Sequence, residues 1–163
     1  MNDPMFLLEW DHRDACKLLT SLTQSDEGFE REMMAAQLRE LLTFHFQIEE
    51  LLVHPLVARC VGAEDEEEAV VEHHLASEGL AEMIALVDMP GFGAVTAALL
   101  AGFAHHVEEE EAEILPALRD ALTRRQWLDL GDAIARAKRA AGRPAIPLAP
   151  RRRSDKRAAL ARD

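Results

Sequence analysis

Apolar residues recur at spacings of three and four along most of this chain, the period of an amphipathic helix rather than the alternation of a strand. Five such segments are predicted. In the first, residues 5–23, Leu8, Ala15, Leu19 and Leu22 form one stripe. The second, residues 29–60, turns Leu38, Leu41, Leu42, Ile48, Leu52 and Leu56 inward. The third, residues 66–87, carries Leu80, Ile84 and Val87 on one face, and the fourth, residues 92–122, carries Leu99, Phe103, Ile114 and Leu118. The fifth, residues 124–140, opens with Thr123 and Gln126 at the spacing of a capping box. Between them, Gln24-Ser25-Asp26-Glu27-Gly28 reads as a loop, Gly62 as a helix stop, and Asp88-Met89-Pro90-Gly91 as the close of the third segment. Pro55 and Pro116 fall inside the second and fourth patterns. Proline lacks the N–H and clashes with the preceding turn, so each is predicted to kink its helix or end its regular part.

Four helices with short connections and one apolar stripe each predict an all-α, up-down-up-down four-helix bundle. The fifth helix is expected to pack across a side or an end. The organisation read from the sequence is a bundle over 1–122, an accessory helix over 123–141 and a Pro/Arg-rich flexible tail over 142–163. No apolar run approaches the roughly 18 residues of a membrane span, and Met1-Asn2-Asp3-Pro4 does not begin a signal peptide, so a soluble, cytoplasmic protein is expected. Cys16 and Cys60 form no CxxC pair and are expected as small buried apolar residues.

Charge changes the picture more than composition does. The net charge of −12 conceals an asymmetry: residues 136–163 carry +8, leaving −20 on the first 135 residues. An acidic body suits cations and argues against nucleic acid as its main ligand. The tail segment Arg151-Arg152-Arg153-Ser154-Asp155-Lys156-Arg157 is the only candidate contact for nucleic acid or an anionic membrane, and it contains no aromatic residue for base stacking.

An internal repeat organises the chemistry. At an offset of 61 residues, His12 maps to His73, His45 to His106, Glu49 to Glu110, Glu50 to Glu111 and Pro55 to Pro116, and the acids preceding the first pair, Asp11 and Glu72, map as well. Residues four apart lie one above the other on a helix face, so His45 points with Glu49 and His106 with Glu110. Each of the four histidines continues an apolar stripe, which turns all six groups inward. Unpaired glutamates there would cost several kcal/mol each. A bound metal removes that cost, because imidazole nitrogens and carboxylate oxygens become ligands. Such donors suit iron, zinc, manganese or copper, and bundle cores of this kind hold di-metal sites. Six ligands for two metals leave positions for an oxo or hydroxo bridge and for dioxygen, peroxide or nitric oxide.

The series His12, His45-x-x-x-Glu49, His73, His106-x-x-x-Glu110 resembles the hemerythrin-like HHE cation-binding domain over roughly residues 7–122. Asp11-His12-Arg13, Glu72-His73-His74 and the Glu-Glu pairs followed by proline agree in detail. The resemblance implies a four-helix bundle with two iron ions, bridged by Glu49 and Glu110 and capped by His12, His45, His73 and His106 as terminal ligands. The chain departs from the oxygen carriers of that family at Ser77, where they place a further histidine; His74 and Glu78 are the nearby candidates for a seventh ligand. The departure favours a protein of iron homeostasis or of the oxidative or nitrosative stress response over a reversible oxygen carrier. The alternatives are a di-iron enzyme with peroxidase-like, catalase-like or nitric-oxide-reducing turnover and, further off, a metal-free helical interaction module. A monomer or homodimer is expected. His105 is expected to face away from the site, and His54, just before Pro55, to lie at a helix end or on the surface.

Overall fold

The computed structural model describes residues 2–143 and residue 145. The tail expected over 142–163 falls outside the described residues except for Gly142, Arg143 and Ala145. Helix α1 spans Pro4–Thr23 and is opened by Asp3, whose side chain accepts from the Met5 N–H at 3.0 Å. α2 spans Phe29–Ile48 and runs through a π-helical turn, Glu49–Val53, into α3, His54–Cys60. α4 spans Ala63–Ala85. α5, Phe92–Glu109, runs through a second π-helical turn, Glu110–Ile114, into α6, Leu115–Ala121. α7 spans Arg124–Ala140, and its capping box between Thr123 and Gln126 is present. The described residues are all-helical, and α1, α2–α3, α4 and α5–α6 form the four-helix bundle. α1 packs on α2 and α5, and α4 packs on α5, α3 and α2, which closes the ring. α7 lies against α1 and the first π turn.

The kinks expected at Pro55 and Pro116 take a specific form. Each proline is the second residue of a short helix, and the widened turn sits just before it: the His54 N–H reaches the Glu49 carbonyl and the Leu115 N–H reaches that of Glu110, five residues back. A π turn inserts one residue into the helical repeat and moves the apolar stripe along by one. This corrects the expected core. Leu52, Leu56 and Ile114 are only half-buried, while Val53, Val57 and Leu115 are fully enclosed.

The apolar core is in two parts. One cluster joins Leu8, Val53, Val57, Leu115 and Leu118 to Trp127, Leu130 and Ile134 of α7. The other joins Leu19, Leu38, Leu42, Leu80, Met83, Leu99 and Phe103. Along α1, α2–α3 and α5–α6 the residues between these two sets are the polar ones singled out above, and on α4 His73 lies at the end of the second set. The site is therefore a polar layer closed above and below by hydrocarbon.

Candidate metal centre

His12, His45, Glu49, His73, His106 and Glu110 are all buried, none more than 4% exposed. Their side chains converge as the repeat requires. His45 Nε2 lies 2.9 Å from Glu49 Oε1, and His12 Nε2 lies 3.6 Å from the same oxygen and 3.2 Å from Glu110 Oε2. On the other side, His73 Nε2 is 3.1 Å and His106 Nε2 3.9 Å from Glu49 Oε2, and His106 Nε2 is 3.8 Å from Glu110 Oε2. Two donor groups result, His12–His45–Glu49–Glu110 and His73–His106–Glu49, each compact enough to surround one ion, and they share Glu49.

These approaches are close but not aligned as hydrogen bonds. The Nε2 atoms of all four histidines, both Glu49 oxygens and Glu110 Oε2 are buried without a hydrogen-bond partner among the described residues. Buried polar atoms are normally satisfied, and each that is not costs about 1–3 kcal/mol. Seven orphaned atoms aimed at one another, all of them imidazole nitrogens or carboxylate oxygens, are what a metal centre needs. The residues present fit one.

The opposite ring nitrogens are held separately. His12 Nδ1 meets Glu111 Oε1 at 2.8 Å, His106 Nδ1 meets Glu72 Oε2 at 2.8 Å and His73 Nδ1 lies 3.4 Å from Glu50 Oε1, whereas His45 Nδ1 faces Asp11 Oδ2 at 3.5 Å without an aligned hydrogen bond. A carboxylate on Nδ1 orients the ring and leaves Nε2 for the metal. These four acids obey the same 61-residue repeat. The Asp11–His45 pair maps onto Glu72–His106, and Glu50–His73 maps onto Glu111–His12. The signal was visible as an acid just before the first histidine of each half and just after each glutamate, although their role was not.

Four of these groups push one another toward their charged forms. Burial opposes ionisation of Glu49, but His45, His12 and His73 outweigh it and hold the carboxyl well below its usual range. Burial likewise opposes charging of His12, yet Glu110, Glu111 and Glu49 raise it well above an ordinary histidine. His45 and His106 are also raised against burial, the former by Glu49 and Asp11, the latter chiefly by Glu72.

The neighbouring histidines separate cleanly. His105 faces outward and pairs with Glu109 at 3.3 Å, its side chain 62% exposed. His74 and Glu78 also pair on the surface, at 3.3 Å, and lie outside the convergent cluster; Ser77 is exposed. His54 opens α3, at a helix start as expected, but it is not on the surface. The first π turn carries it inward, so it is 4% exposed, with its ring centroid 4.7 Å from that of His73 and its Nδ1 without a partner among the described residues. Burial and the neighbouring His73 lower its pKa to about 4. A pocket of about 410 Å³ lined by His54, His73, Ser77 and Glu50 opens on this side. Lys138 of α7 was not anticipated either: it is 2% exposed and bonded to Asp11 at 2.6 Å. Cys16 and Cys60 are free thiols, half-buried rather than enclosed.

Residues 4–118 match the hemerythrin HHE cation binding domain. The chain belongs to that family. Among solved structures, this hemerythrin HHE domain is similar to a hemerythrin HHE cation binding domain-containing protein from Mycobacterium kansasii, with a TM-score of 0.76 and 22% identity over 87% of this chain and 89% of that one. The fold is thus shared. No curated protein gives a significant match. Membership makes this a cation-binding domain, and its histidine and glutamate groups could hold the metal. Among the described residues of this HHE domain, no helix is long and apolar enough to cross a membrane.

Proposed function

We propose that this HHE domain holds two iron ions, one among His12, His45, Glu49 and Glu110 and the other among His73, His106 and Glu49 with Glu110 at its edge. The centre binds or reacts with dioxygen, peroxide or nitric oxide, in iron homeostasis or in the oxidative or nitrosative stress response. The observation that carries this reading is the pair of donor groups sharing Glu49, whose convergent atoms are otherwise unsatisfied.

Bound iron supplies a change of redox state and a coordination position for a small molecule. The protein supplies the rest. Glu49 offers one oxygen to each side. Glu111, Glu50 and Glu72 hold the rings of His12, His73 and His106 through Nδ1, and Asp11 faces the fourth ring, His45, at 3.5 Å. Phe46, its ring centroid 4.3 Å from that of His73, and Phe103, 6.1 Å from His12 and from His106, wall the layer against water. The pocket beside His73 and Ser77 brings solvent closest to this side of the donor groups.

The test is optical. Iron-loaded protein is titrated with peroxide, dioxygen or nitric oxide while its near-ultraviolet absorption is followed. A saturating change at about one equivalent per centre fits a binder or sensor, and sustained consumption of peroxide or nitric oxide over many equivalents fits the enzyme alternative. Absence of a response to all three would remove the small-molecule reading.

A further inference from the structure

Lys138 is a buried charged side chain that the metal centre described so far does not use. It lies on α7, beyond the segment matching the HHE domain, and its burial is exceptional for a lysine. The buried face of α7 runs Trp127, Leu130, Gly131, Ile134, Ala135, Lys138, so the lysine continues an apolar stripe. Its ammonium donates to the Leu7 carbonyl at 3.1 Å and to Asp11 Oδ1 at 2.6 Å. The other Asp11 oxygen faces His45 Nδ1 at 3.5 Å. Gly131 sets the register: a Cβ there would fall on the backbone oxygen of Asn2, so only glycine lets α7 lie this close to the start of α1.

The repeat shows what is unusual. Asp11 and Glu72 are equivalent, as are His45 and His106, but only Asp11 is sealed. Its side chain is 9% exposed and capped by Lys138, whereas that of Glu72 is 20% exposed beside the surface residues His105 and Glu109. The remaining anchors follow the same bias: Glu111, behind His12, is 31% exposed, and Glu50, behind His73, is 50% exposed. The outer shell is symmetric in sequence and asymmetric in solvation.

We propose that Lys138 is a positioning residue that acts through Asp11 to fix His45, making the His12–His45 metal position the tighter of two inequivalent positions and the His73–His106 position the exchangeable one. The proposal rests on the two-metal reading above. The bonds from the Lys138 ammonium fix Asp11 behind the His45 ring and shield it from solvent, whereas the equivalent acid behind His106 is open to it. Opposite, Glu50 and Glu72 are open to solvent, and a pocket lined by Glu50 and His73 lies on that side.

The experiment is metal loss to a chelator in excess, followed by absorption and elemental analysis, on full-length iron-loaded protein. Wild type is expected to lose its ions in two phases of equal amplitude, with rates at least tenfold apart. Replacing one member of a buried ion pair leaves the other uncompensated, so both are neutralised together in D11N/K138M. With its helicity intact by circular dichroism, that variant should lose its slow phase, which accelerates about 10–100-fold. E72Q should accelerate only the fast phase. A wild type that loses both ions in one phase, or a D11N/K138M protein with an unchanged slow phase, would overturn the proposal. A wild type that takes up no metal would instead overturn the two-metal reading on which it stands.

Discussion

At the scale of single residues, the centre is defined by which of two neighbouring histidines turns inward. His105 and His106 differ by one helical step, yet one is solvated and the other is 4% exposed among the donor atoms. His106→Ala should therefore strip at least the His73–His106 metal, whereas His105→Ala should leave the metal content of purified protein unchanged. Equal losses would show that the ligand set is misassigned. His54 carries a separate prediction. Its pKa is about 4 in the folded metal-free protein against an ordinary 6.5, so the unfolded chain binds the additional proton. The stability due to neutral His54 is complete above about pH 6.5 and is lost as pH falls toward 4. Urea midpoints of apo protein at pH 7 and pH 5 should fall further for wild type than for His54→Phe, and parallel falls would contradict this.

At the scale of helices, the apolar stripes made the bundle legible, because each stripe is a local pattern and each helix buries one face. The inward placement of His12, His45, Glu49, His73, His106 and Glu110 was legible for the same reason, reinforced by the repeat. What escaped the sequence came from two non-local causes. The π turns before Pro55 and Pro116 shift the stripe by one residue, exchanging Leu52 and Leu56 for Val53 and Val57 and drawing His54 inside. The role of Lys138 depends on how α7 docks, and a lysine on an amphipathic helix ordinarily marks the solvated face. Docking of α7 depends in turn on Gly131. A methyl group there displaces either α7 or the chain near Asn2, and overpacking of this kind costs about 1–3 kcal/mol. Gly131→Ala should lower the unfolding free energy of apo protein by about that amount, read as a lower urea midpoint. An unchanged midpoint would mean that α7 does not need this close approach.

At the scale of the whole molecule, the fold is two hydrocarbon clusters with a polar layer between them. The clusters give the bundle its rigidity, and the layer gathers at least three imidazoles that are raised toward the charged form and a carboxylate held ionised. Such a layer is costly without an ion, since each orphaned atom subtracts from stability. Metal that binds only the folded chain then stabilises it by mass action. Iron loading should therefore raise the thermal midpoint, and the rise should vanish with Glu49→Ala, which removes the group common to both donor sets. The most direct test of the central claim is the metal content of the folded protein, measured by elemental analysis after anaerobic loading with ferrous iron and removal of the excess. The shared-Glu49 arrangement predicts close to two irons per wild-type chain and well under one for Glu49→Ala. A wild-type protein that retains no iron, or that holds two irons regardless of Glu49, would contradict it.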